Sequence, residues 1–301
     1  MFEKLLSEGG LSLDRLKALL EVGAAGGIAK ATGGDPVKQS QYSRQIKELE
    51  EFFRVKLAER HGKGIRLTEP GRELARISRF FLLGLSNFQR GCLAEEQSFR
   101  IGASATFIRQ FLLPVVSDLT AIGKATRYAV ETVSDAAIEQ RLHDLTLDFG
   151  VTTAETISRP LQLKDLGAWR LKLWAPRSLY SNEKAAATAF KLHQLPLAVA
   201  ETELPAEIRT LLADHPPRLV CGTFVEVITA MEKHALAAVL PDFLSTAVNS
   251  RRYLAVRIPA LESARFHFHL AWNPRLLRLN PPAVRRRDFL FTTLAGLKGC
   301  N

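Results

Sequence analysis

Residues 33–36 read Gly-Gly-Asp-Pro, and on both sides of this turn the apolar residues recur at helical spacing. Two glycines followed by an aspartate and a proline interrupt any helix, so the flanking segments form separate helices meeting at a corner. Upstream, Leu13, Leu16, Leu19, Leu20 and Val22 mark a helix over 12–22, with Asp14 in its first turn where the helix dipole favours a negative charge. Gly23 through Gly27 breaks that helix, and a short one follows over 28–32. Downstream, Val37, Tyr42, Ile46, Leu49 and Phe53 stripe a helix over 37–53 whose other sides carry Lys38, Gln39, Gln41, Arg44, Gln45 and Lys47. Helix, short helix, glycine turn and amphipathic helix make a helix-turn-helix pattern.

The next elements extend it. His61-Gly62-Lys63-Gly64-Ile65-Arg66-Leu67-Thr68 reads as a tight basic hairpin, a wing, in which the glycines permit the turn. Thr68 then caps, and Pro70 opens, a helix to Leu93 with Leu74, Ile77, Phe81, Leu85 and Phe88 along one seam. A single apolar seam on so long a helix calls for a partner helix. The net charge is +10, and residues 38–72 hold nine basic against five acidic side chains. That excess favours a polyanion, because each phosphate neutralised releases counterions. The residue types at 37–50 point the same way. Gln39 and Gln41 suit adenine edges, Arg44 suits guanine, and Ser40, Ser43, Lys38, Lys47, Lys63 and Arg66 suit phosphate or base.

Beyond a linker at 95–97 the pattern changes to alternating strands and helices. Strands are expected at 99–103, 127–133, 147–151, 171–174, 197–199, 219–221, 237–240, 253–258 and 266–272. Helices are expected at 106–120, 134–143, 182–193, 205–212, 224–233 and 282–297. Such alternation implies parallel sheets covered by helices. The fold class is therefore α/β overall behind an all-α winged helix-turn-helix. The expected domains are 1–69 (DNA-binding), 70–97 (linker and dimerisation helix) and 98–301, the last in two lobes of about 98–168 with 268–301, and 169–267.

Three motifs in order, Ser43-Arg44-Gln45-Ile46-Lys47-x-Leu49-Glu50, Leu57-x-x-Arg60 and Ile65-x-Leu67-Thr68-x-x-Gly71, resemble the N-terminal domain of LysR-type transcriptional regulators. The family usually carries an Ala-Ala-x-x-Leu core and then Val-Ser-Gln-Pro before the recognition helix; here Ala31-Thr32-Gly33-Gly34-Asp35-Pro36-Val37-Lys38-Gln39-Ser40 fills the same length. The fold carries over and the operator sequence does not. Arg100–Thr106 with Leu113-Pro114, Leu147–Val151 and Ala235–Pro241 are similar to strands of the family's effector-binding domain, with alanine in place of both glycines in the last. The resemblance implies two lobes like a periplasmic binding protein, dimerisation through residues 70–93, commonly a dimer of dimers, and a small-molecule effector between the lobes. Carried over residue by residue, Ser104 and Thr106, then Thr152 and Thr153, then Thr223 and Phe224, are the candidate effector contacts. Hydroxyls and helix N-termini suit a carboxylate ligand, although each of these residues also fits a simple helix cap.

Other chemistry finds little support. Cys92, Cys221 and Cys300 are scattered, without a CxxC, as in a reducing cytoplasm. No apolar run reaches the ~20 residues of a membrane span, and the N-terminus carries no secretory pattern. His267 and His269 share a strand face without a third ligand at metal spacing. No phosphate loop, nucleophile elbow or HExxH occurs, so neither a catalytic residue nor a cofactor is expected. Cys221 reads as core, and Arg285-Arg286-Arg287 as a solvated helix face or an extra phosphate contact. Two alternatives stay open: a solute-binding module or enzyme with a helical scaffold, and a regulator that has lost its ligand and answers to protein partners.

Overall fold

The computed structural model describes residues 5, 9–61, 64–93, 97–115 and 126–295. It divides into two units, Met1–Glu95 and Glu96–Asn301.

In the first unit α1 (Leu13–Ala25) starts at Ser12, whose hydroxyl accepts the Arg15 N–H, and ends at Gly26 in the left-handed conformation. After α2 (Ile28–Ala31), Gly33 and Gly34 both take positive φ, which side chains resist. Asp35 then accepts the Val37 and Lys38 N–H groups and Pro36 occupies the first turn of α3 (Pro36–Phe53). The apolar faces meet in a core of Leu16, Leu19, Val22, Ile28, Ile46, Leu49, Leu57 and Leu67. Val37, counted in the apolar stripe, is 76% exposed, because it lies one turn ahead of where α3 meets the core.

The hairpin is β1 (Ala58–His61) and β2 (Gly64–Leu67), antiparallel, and so begins three residues before the expected wing. Helix α4 (Glu69–Leu93) follows. Thr68 joins the two: its hydroxyl donates to the Lys56 carbonyl and accepts the Gly71 N–H. A Cβ at Gly71 would lie 2.0 Å from the Leu57 carbonyl oxygen, which explains a glycine inside a helical turn.

The second unit contains two five-stranded sheets. The first has the order β4-β3-β5-β12-β6 and comprises β3 (Gln97–Ala103), β4 (Thr126–Thr132), β5 (Phe149–Thr152), β6 (Gln162–Trp169) and β12 (Phe266–Trp272). The second has the order β11-β7-β10-β8-β9 and comprises β7 (Leu171–Pro176), β8 (Leu197–Ala200), β9 (Leu219–Cys221), β10 (Ala237–Pro241) and β11 (Tyr253–Val256). Both sheets are mixed, which corrects the expectation of parallel sheets. β12 runs antiparallel to β5 and β6, and β7 runs antiparallel to β10 and β11. These are the strands beside the two crossings between sheets, where the chain returns without a full helical crossover. The helix expected over 106–120 is instead α5 (Ala105–Phe107), a widened turn at Ile108–Leu112 and a 3-10 turn at Leu113–Val115, with 116–120 outside the described residues. Pro114 has no N–H for the Gln110 carbonyl, so regular helix cannot continue. Helices α6 (Asp135–His143), α7 (Glu183–Lys191), α8 (Ala206–Leu211) and α9 (Phe224–Lys233) lie between strands. The short α10 (Pro259–Ser263) and α11 (Pro274–Leu279) precede α12 (Pro281–Leu294). Of the triple arginine, Arg286 is buried and donates to the Thr126 hydroxyl, and Arg287 lies over the Trp272 ring. The solvated-face expectation is therefore corrected for Arg286, which packs helix against sheet.

One apolar core runs beneath both sheets. Its centre is aromatic: Phe243, in the turn after β10, meets Phe111 at 5.0 Å, Phe268 at 5.8 Å and Trp169 at 5.9 Å between ring centroids.

Candidate functional site

The outer surface of α3 is polar and accessible: Lys38, Ser40, Gln41, Ser43, Arg44 and Lys47 are exposed, and Gln39 is half-buried. Arg44 and Lys47 face Glu48 and Glu51 one turn on, at 3.8 and 4.0 Å. Such exposed pairs are weak, so both cations remain available to a phosphate or base. The inner side of α3 is tied down. Arg15 pairs with Glu48 at 2.5 Å, and Tyr42 donates to Glu21. Glu50 reaches past the end of α3 to accept the N–H groups of Leu57 and Ala58, at 2.9 and 3.1 Å, and the Lys56 ammonium at 3.2 Å. Burial alone would raise the Glu50 carboxyl, but the Ala58 and Leu57 N–H groups and Lys56 outweigh it and hold it below its usual value. That acid thus fixes the hairpin relative to α3. Arg66 is exposed on β2, opposite Glu59, whereas Lys63 lies outside the described residues.

Along α4, Ile77, Phe81, Leu85 and Phe88 are between 46% and 73% exposed, an apolar seam without cover among the described residues. Leu74 differs from them: it is half-buried and packs on the helix-turn-helix core.

In the second unit the six candidate contacts, Ser104, Thr106, Thr152, Thr153, Thr223 and Phe224, line one cleft of about 170 Å³. Its apolar wall adds Phe107, Trp169, Phe243 and Phe268. The carboxyl ends of β3, β5 and β8 and the start of α9 bring these residues together, as expected for ligand sites in α/β folds. Each hydroxyl also has an internal partner. Ser104 accepts the Phe107 N–H, Thr152 accepts the Ala154 N–H, and Thr223 forms a capping box with Glu226. Thr153 donates its N–H, at 3.1 Å, and its hydroxyl to Asp135.

Sequence reasoning missed the central residue. Glu203, just beyond β8, accepts the Thr106 N–H at 3.0 Å, the Thr106 hydroxyl at 2.5 Å and the Phe224 N–H at 2.8 Å. It thereby spans the two lobes. Of the candidate contacts, the Thr106 and Phe224 donors are thus held by a carboxylate of the chain itself. No local signal in the sequence marks Glu203, because its partner Thr106 lies 97 positions away. Elsewhere in this unit, His267 contacts Asp165 at 3.1 Å, and burial lowers the pKa of its neighbour His269. Burial, aided by Glu226, pushes the Cys221 thiol up, away from a reactive thiolate.

Comparison with known proteins matches residues 13–72 to the model "Bacterial regulatory helix-turn-helix protein, lysR family" and residues 94–291 to "LysR substrate binding domain". The HTH-type transcriptional regulator HdfR of Yersinia pestis (strain Pestoides F) is 26% identical over 171 residues, 56% of this chain. The chain spans only 58% of the length of that relative. Among solved structures, ArgP from Mycobacterium tuberculosis has a TM-score of 0.67 at 18% identity, covering 94% of this chain and 97% of that one. A full-length OxyR variant from Pseudomonas aeruginosa has 0.65 at 15%, covering 94% of each. At these identities the two structures speak to the fold.

Proposed function

The chain belongs to the LysR family, and from that premise we propose that it is a sequence-specific DNA-binding transcriptional regulator controlled by a small molecule held between its C-terminal lobes. The observation that carries this reading is α3: a polar, cation-bearing outer face on a helix whose inner side and far end are anchored by Arg15, Tyr42 and Glu50. Such a helix fits the major groove, with Gln39, Gln41 and Arg44 toward base edges and Lys38, Ser40, Ser43 and Lys47 toward base or phosphate. The hairpin, with Arg66 and Lys63, tracks the adjacent backbone or minor groove.

The exposed seam of α4 suits a second copy of the chain, giving a dimer and, by a further contact, a dimer of dimers. Two-fold symmetry then places half-sites one helical turn or a multiple apart. Ligand binding shifts the arrangement of the DNA-binding pairs in proportion to its differential affinity for two states. The activity is regulation rather than catalysis, exerted where the bacterial chromosome lies, in the cytoplasm. No helix among the described residues is long and apolar enough to cross a membrane.

Footprinting on DNA upstream of the protein's own gene tests the reading. A bounded, dyad-related protected region that survives physiological salt is expected. Diffuse binding abolished by salt would instead favour a solute-binding module on a helical scaffold.

A further inference from the structure

This inference rests on the reading of the interlobe cleft as an effector site. We propose that Glu203 fills the anion seat of that cleft from within the chain, so that the effector it accepts is a small organic cation.

The paired backbone and hydroxyl donors of the cleft are held by acids of the chain itself. The Thr106 N–H and hydroxyl and the Phe224 N–H go to Glu203, and the Thr153 N–H and hydroxyl go to Asp135. A carboxylate ligand would either displace Glu203 from these donors or lie close to both Glu203 and Asp135. Like charges in a site partly removed from water repel strongly. Among the described residues no lysine, arginine or histidine lines the cleft to offset them.

The wall favours the opposite sign. Phe107, Trp169, Phe224, Phe243 and Phe268 line the cleft, and an ammonium or guanidinium is attracted to aromatic faces as well as to carboxylates. A volume of about 170 Å³ resembles the cavities of roughly 150 Å³ that hold one benzene-sized molecule. The ligand is therefore an amine or guanidine on a short apolar body.

Three probes of matched size and different charge test this on the full-length protein by calorimetric titration and thermal shift: butylammonium, butyrate and butyramide. Butylammonium is expected to bind and stabilise the unsubstituted protein, and butyrate is not. Glu203→Gln, which keeps the shape of the side chain, should weaken butylammonium on the order of tenfold or more. Glu203→Ala, which vacates the seat, should gain a butyrate response. Butyrate binding the unsubstituted protein as well as butylammonium, or failing to bind Glu203→Ala while butylammonium still binds, overturns the cation assignment and leaves the effector reading standing. Silence of all three probes on all three proteins, with the DNA footprint intact, removes the effector reading as well.

Discussion

Replacing Glu50 by alanine should loosen the recognition helix from the hairpin without touching any DNA-facing group. The Glu50 side chain is 12% exposed and accepts two backbone N–H groups, at Leu57 and Ala58, plus the Lys56 ammonium. Leu57 is 1% exposed, so water reaches the vacated donors poorly. Hydrogen bonds to a charged group are worth about 1.5–3 kcal/mol each. Because neighbouring bonds do not add fully, the loss should be roughly 2–4 kcal/mol. At about 1.36 kcal/mol per factor of ten, the Leu57 and Ala58 amides should exchange with solvent ~30- to ~900-fold faster. Native-state hydrogen exchange on the full chain reads this directly, and Glu50→Gln should fall between the two proteins. The pH dependence has a definite sign. The folded carboxyl lies below its usual value, so its contribution is complete above the unfolded pKa and is lost as pH falls through the folded one. Glu50→Gln should flatten that acid limb. Exchange at Leu57 and Ala58 within about twofold of the unsubstituted protein, a change of under ~0.5 kcal/mol, would show that the hairpin is held by apolar packing alone.

Arg44→Ala should cost about 1–3 kcal/mol of discrimination at one base pair if the guanidinium reads guanine. Binding titrations against operator variants check this, and a uniform loss across sequences would reassign Arg44 to phosphate. Ile77→Ser with Phe81→Ser should give a folded chain that sediments as a monomer and binds paired half-sites poorly; intact dimers in sedimentation would remove α4 from the interface. Leu74 is omitted from that variant because it packs on the core. Gly71→Ala must push α4 away from the Leu57 carbonyl, an overpacking that costs about 1–3 kcal/mol or more. A thermal melt of the first unit unchanged by this substitution would refute so close an approach.

The first unit is legible in sequence because its determinants are local. Two glycines, an aspartate cap and a proline fall within four residues, and the apolar stripes of α1 and α3 repeat within a few turns. Strand direction in the second unit is not local. The helix-strand alternation that suggests parallel sheets does not reveal that β12 returns antiparallel to β5, more than a hundred residues away. β6 escapes notice since Lys164, Asp165 and Gly167 interrupt its apolar alternation, and a bulge opposite Phe268 and His269 absorbs the irregularity. The six cleft residues were reachable from their places after strands and before helices. Glu203 was not, because its partner Thr106 lies 97 positions away. Nothing near Glu203 in the chain marks it as an acceptor.

The aromatic centre shared by the two lobes limits how the second unit can move. Fully exposing two rings of the Phe111, Phe243, Phe268 and Trp169 group would uncover about 300–500 Å² of apolar surface, roughly 7–13 kcal/mol. A ligand typically couples two sites by only about 1–3 kcal/mol. Wide hinge opening therefore costs more than a typical coupling energy supplies. Contacts of this kind predict that the unit responds as a stiff body, through small shifts in packed side chains. If the cleft takes a ligand as proposed, scattering profiles of this unit with and without it should nearly superimpose.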